Sequence, residues 1–116
     1  MKRSWKSFKD AATGLRELVS NHRNSKIMLF ATIVVVAAGL LLKLERVDWC
    51  LVILVTAAVW IAESFNTALE LLCDRVTTEH DELIRKAKDI AAGATLLAVI
   101  ASLFVGISVG YRYTLM

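Results

Sequence analysis

The chain has 116 residues, is 57% hydrophobic and has a mean hydropathy of +0.58, which allows one domain and is too apolar for a soluble one of this size. Fourteen Lys/Arg against eleven Asp/Glu leave a net charge of +3, an excess that membrane topology explains better than nucleic-acid binding. Cys50 and Cys73 lie near opposite ends of one hydrophobic segment, too far apart along a helix to pair, and are expected to be buried thiols.

Residues 2–22 place Trp5, Phe8, Ala12, Leu15 and Val19 at helical spacing with charged residues on other faces, which predicts an amphipathic helix lying at the membrane surface. A helix packed on the chain's own bundle is the alternative. Charged positions run through these first residues, so no cleavable signal peptide is expected. Residues 27–43 form a first predicted span between flanking lysines. Lys43 to Asp48 reads as a tight polar turn, with Trp49 at the next interface. A second span covers 48–74, a polar loop follows, and a third span covers 88–111, with Tyr111 and Tyr113 as an aromatic belt. The third span carries a small-residue stripe, Ala94, Ala98, Ser102, Gly106 and Gly110, which predicts a close packing seam. The fold class is therefore all-α: a surface helix and three transmembrane helices in one domain, 1–116.

Residues 1–26 hold seven basic residues and 75–88 hold four, against two in the first turn and one near the end. The positive-inside rule then puts the N-terminus and the 75–88 loop in the cytoplasm and the C-terminus outside.

The second span carries Glu63, Asn66, Glu70 and Asp74, whose spacing puts all four on roughly an 80° arc of one helix face. A carboxylate near mid-membrane costs about 2.5 to 3.5 kcal/mol on insertion scales, which marks a functional site. Three spans cannot easily enclose such a face, so a homo-oligomeric bundle is expected. Glu63, the deepest, suits a general base toward a hydroxyl arriving from the membrane. Glu70, nearer water, suits Mg²⁺. Asn66 is one turn from each and suits orienting a substrate, while Asp74 suits pairing with a basic residue. Lys88 is either a point charge for phosphates or an interfacial anchor, and Asp89 either joins it or favours a helix N-terminus. No P-loop or GxGxxG turn occurs, which excludes a soluble-type kinase.

The pattern ExxNTAxExxxD over 63–74 followed by RKAKDxAAGA over 85–94 resembles the small bacterial membrane lipid kinases, the prokaryotic diacylglycerol kinase and undecaprenol kinase family. The resemblance covers most of the chain. It implies a homotrimer with sites between subunits in the bacterial inner membrane, and ATP-dependent phosphorylation of a membrane lipid hydroxyl with Mg²⁺. It implies Glu63 as catalytic base, Glu70 as metal ligand, and nucleotide contacts at Lys88, Asp89, Glu79, His80 and Asp81. Through a shorter match at Gly14 to Arg16, it extends these contacts to Arg3 and Asp10. One departure stands out: His22 occupies the position of the family's second metal-binding carboxylate, and imidazole suits softer metals than Mg²⁺. Glu17 is another acid that could serve there. Diacylglycerol is the expected acceptor, as implied by DRVTTEHDEL over 74–83. Undecaprenol, implied by Arg23-Asn24 and AKDIAAGA, is the alternative. A non-enzymatic bundle or small ion or drug carrier using Glu63 is the alternative of another class.

Overall fold

A computed structural model describes residues 2–115, with side chains from Ser4 onward; the Arg3 side chain thus lies outside the described residues. The chain forms four helices, α1 (Lys2–Asn21), α2 (Arg23–Leu42), α3 (Arg46–Val76) and α4 (Glu82–Thr114). The last three are long and apolar enough to cross a membrane, so the all-α membrane architecture stands as expected.

The boundaries follow from local chemistry. Only His22, extended at φ −124° and ψ 125°, separates α1 from α2, and its side chain does not cap α2. At the other end of α2, Lys43 adopts the left-handed conformation (φ 56°), and the backbone N–H groups of Lys43 and Leu44 close back on the carbonyls of Leu40 and Gly39. Gly39 is required by contact: a Cβ there would meet the Trp49 ring at 2.5 Å, so α2 and the start of α3 approach closely at this point. Asp81 caps α4, with its Oδ1 accepting from the N–H groups of Leu83 (2.9 Å) and Ile84 (3.1 Å).

α3 and α4 form the principal antiparallel pair, α2 leans on α3, and α1 lies against both α2 and α3. Two polar contacts mark the α3/α4 register. At one end Asp48, only 1% exposed, accepts from Arg112 Nη1 (2.9 Å) and Tyr113 Oη (2.6 Å). At the other, Lys88 Nζ donates to Asp74 Oδ1 (2.8 Å).

Three expectations need correction. The polar stretch 43–48 is not all turn: α3 begins at Arg46, and Asp48 is drawn inside because its partners come from the far end of α4. Tyr113 is accordingly a hydrogen-bonding residue as well as a belt aromatic, also accepting from the Glu45 N–H (2.7 Å). Cys73 is buried but Cys50 is exposed on the outer face of α3. Nor does the small-residue stripe make its closest approach within the chain, since a Cβ on Gly106 or Gly110 would meet nothing within 4 Å.

The molecule is a slab of 54 × 41 × 21 Å exposing 9244 Å². A compact soluble monomer of 12.8 kDa exposes about 6,300 Å². The excess is largely apolar helix face, including Phe30, Leu41, Leu97, Phe104 and Ile107, that only lipid or another apolar surface can cover. On α1, Trp5 and Phe8 stack with ring centroids 6.4 Å apart and stay exposed, as a surface helix requires.

Candidate active site

One face of α3 carries two kinds of residue in sequence. Val52, Val55, Thr56 and Val59 line an apolar cleft of about 470 Å³ shared with α2 (Ile27, Met28) and α4 (Leu103). Continuing along the helix at spacings of three and four, the same face presents Glu63, Asn66, Glu70 and Asp74. A greasy channel therefore leads along one stripe to a row of acids.

Burial grades that row. Glu63 is 6% exposed and Asn66 9%, while Glu70 and Asp74 are open to solvent. Glu63 Oε1 accepts a long hydrogen bond from Thr67 Oγ1 (3.4 Å), and Asn66 Nδ2 donates an equally long one to Glu70 Oε1. Bonds of this length are weak, so both carboxylates keep lone pairs for other partners. Asn66 Oδ1 is buried without a partner. Glu63 lies within electrostatic reach of both Glu70 and His22. The α3/α4 register brings Glu63 level with Leu97 to Val99, beside the small residues Ala94 and Ala98.

The remaining candidates surround the polar end. Lys88 is half-buried and held by Asp74. Asp89 and Lys88 sit two turns inside α4, so Asp89 is not an N-terminal residue; it accepts from Arg85 Nη1 (2.7 Å), which also binds Glu82. Glu79, His80 and Asp81 form the exposed loop, where His80 approaches Glu82 at 3.7 Å. Asp81 spends one oxygen on the α4 cap and leaves the other free. Asp10 is exposed on α1, one turn before Gly14. His22 and Glu17 line a second cavity of about 520 Å³ between α1 and α3, together with Ser64 and Thr67.

Among the described residues no three His, Cys, Asp or Glu groups converge on one point that could hold a metal. The donor set still fits Mg²⁺, which takes one or two carboxylates and completes its octahedron with water and phosphate oxygens. Glu70 offers such a carboxylate on the aqueous side.

Sequence reasoning missed three features at or near the site. Thr67, one turn after Glu63, was visible at i+4 but not weighed. Trp60 Nε1 donates to Thr32 Oγ1 (2.9 Å), a contact between helices 28 residues apart that ties α2 to α3. Ser25 is fully buried at the start of α2; no local pattern marks it.

Comparison with known proteins extends over the whole site. Residues 9–109 match the family described as prokaryotic diacylglycerol kinase. The chain is 32% identical to the undecaprenol kinase of Bacillus subtilis over 92% of this chain and 87% of that protein. It is 41% identical to a diacylglycerol kinase of Synechocystis over 86% of this chain, which spans 58% of that relative's length. With the diacylglycerol kinase of Escherichia coli the identity is 30%, over 85% of this chain and 75% of the relative.

Proposed function

The chain belongs to the prokaryotic diacylglycerol kinase family, and from that premise we propose that this lipid kinase transfers the γ-phosphoryl group of ATP to the free hydroxyl of diacylglycerol, giving phosphatidic acid. The observation that carries the reading is the stripe on α3, where the residues lining an apolar cleft, down to Val59 and Trp60, are followed one turn later on the same face by the buried carboxylate of Glu63. Acyl chains in the cleft bring their hydroxyl to that carboxylate, while the nucleotide approaches from the exposed end bearing Glu70, Asp74 and Lys88. Family membership makes the chain an enzyme and sets the carrier reading aside.

In this scheme Glu63 accepts the lipid hydroxyl proton as the oxygen bonds the γ-phosphorus, and the bond from that phosphorus to the β,γ-bridging oxygen breaks to release ADP. Asn66, between the two glutamates, orients the acceptor or the phosphoryl group. Glu70 would hold Mg²⁺, which would supply neutralisation of the charge building on the phosphate oxygens. His22 lines the neighbouring α1/α3 cavity and offers a softer donor than Mg²⁺ prefers. Lys88 supplies a point charge to the phosphates, and releasing Asp74 for this costs little because the pair is largely solvated. Asp89, Glu79, His80, Asp81 and Asp10 complete the nucleotide contacts around the same aqueous end, and Arg3 is added to them by the sequence resemblance alone. The N-terminus and 75–88 loop face the cytoplasm of a bacterial inner membrane, the C-terminus faces outside, and three copies cover one another's apolar faces.

Undecaprenol is the second acceptor, favoured by similarity to the Bacillus subtilis relative over nearly the full length of both chains. Purified protein given ATP and a panel of lipid alcohols tests the proposal, with Glu63→Ala and Glu70→Ala as controls. Phosphatidic acid formation abolished by both variants is expected; full activity in Glu63→Ala removes the general base, and turnover of undecaprenol alone removes diacylglycerol.

A further inference from the structure

We infer that Ser25 is a specificity residue for the lipid acceptor, its buried hydroxyl donating to an ester carbonyl of a glycerolipid. The inference rests on the lipid kinase reading and adds a residue and a chemical preference to it. Ser25 is 0% exposed and its Oγ has no hydrogen-bond partner. Helical hydroxyls ordinarily bond the carbonyl four residues back, as Thr13, Thr32, Ser64 and Thr114 do here. For Ser25 that carbonyl belongs to Asn21, but the extended His22 breaks the turn that would bring it into place. A buried donor left over in this way is costly unless something else accepts from it.

Its position says what that acceptor is. The Trp60–Thr32 hydrogen bond sets the antiparallel register of α2 and α3, which puts Ser25 level with Thr67, one turn from Glu63. Before it in the chain, His22 lines the α1/α3 cavity, and after it on α2, Ile27 lines the apolar cleft; on α3, Thr67 and Trp60 divide in the same way. Ser25 and Glu63 line neither cavity themselves and stand at the level of the wall that separates them, the level a lipid's polar end must reach if its hydroxyl is to meet Glu63. Asn66 Oδ1, the other buried side-chain atom without a partner among the described residues, belongs to the same turn of α3 as Thr67. A polyprenol brings one oxygen to this level, and the reaction uses it. A diacylglycerol brings two ester carbonyls besides, acceptors that a donor hydroxyl can use.

The test compares KM for dioctanoylglycerol and for a polyprenol in wild type, Ser25→Ala and Ser25→Thr. Ser25→Ala is expected to raise the dioctanoylglycerol KM about tenfold, one hydrogen bond's worth, with kcat within about twofold. The polyprenol KM should hold, and the ligand-free protein should melt higher because an unpartnered buried hydroxyl is gone. Ser25→Thr, which keeps the hydroxyl, should restore most of the selectivity. An equal change in both KM values overturns the inference and leaves the kinase reading intact. So does a lower melting temperature with an unchanged KM ratio, which would mean that the hydroxyl serves a neighbouring subunit. If neither lipid is phosphorylated, the kinase reading fails. Dioctanoylglycerol binding followed by tryptophan fluorescence then decides the role of Ser25: no binding, or equal binding by Ser25→Ala, overturns it.

Discussion

Arg112→Ala strikes the contact that closes the end of the bundle opposite the acids. Asp48 is 1% exposed and its carboxylate is shared between Arg112 Nη1 at 2.9 Å and Tyr113 Oη at 2.6 Å. Removing one member of a fully buried ion pair costs about 3–5 kcal/mol, because the other charge stays behind without compensation. Two features lower that figure here: the Arg112 side chain is 52% exposed, so water already screens it, and the Tyr113 hydroxyl remains on the carboxylate. About 2 kcal/mol is the expected loss. Asp48→Asn keeps the shape and removes the charge, and should cost a similar amount. Replacing both residues by leucine removes the buried charge and its partner together and should recover at least about 1 kcal/mol of the summed single losses. Unfolding of the micelle-solubilised protein in a denaturing detergent, followed by helical circular dichroism, measures all three variants. If each single change shifts stability by less than about 0.5 kcal/mol and the pair adds without coupling, the reasoning that this contact sets the α3/α4 register is wrong.

Glu63→Gln should lower kcat by about 10²–10⁴ while lipid KM stays within about threefold, measured as labelled phosphate transferred from ATP. Lys88→Ala should raise KM for ATP at least about tenfold yet leave stability within about 1 kcal/mol, since its pair with Asp74 is mostly solvated; equal effects on both would make Lys88 an anchor. Gly39→Ala should cost about 1–3 kcal/mol in the same unfolding assay, because the new methyl would sit 2.5 Å from the Trp49 ring. His22→Glu should lower the Mg²⁺ concentration giving half-maximal activity; an unchanged Mg²⁺ dependence would remove His22 from the metal's surroundings.

The spans and the acidic face could be read directly because both depend on relations along one helix. Apolar runs long enough to cross a bilayer need no partner to be recognised, and positions 63, 66, 70 and 74 share a face by helical geometry alone. Helix ends were less legible. The start of α4 at Glu82 depends on an Asp81 cap and on Arg85 bridging Glu82 and Asp89, polar interactions that a hydropathy pattern reads as loop. The break at Lys43 was legible as the start of a polar turn, but its left-handed conformation, usually given to glycine, was not.

The sequence alone determined that this chain lives in a membrane, that four carboxylate or amide groups share one helical face, and that the pattern is a lipid kinase's. The first two conclusions follow from local periodicity and from residue types that lipid does not tolerate without a reason; the third rests on the resemblance of residues 63–74 and 85–94 to a known family. Only the tertiary structure decided that Asp48 pairs with Arg112, that an apolar cleft lies on the α3 face one turn before Glu63, and that Ser25 is left buried without a partner. Each depends on where separate helices come to lie against one another, and the apolar faces that bring them together are alike enough to allow many registers. The contacts of Asp48 with Arg112 and of Trp60 with Thr32 select one.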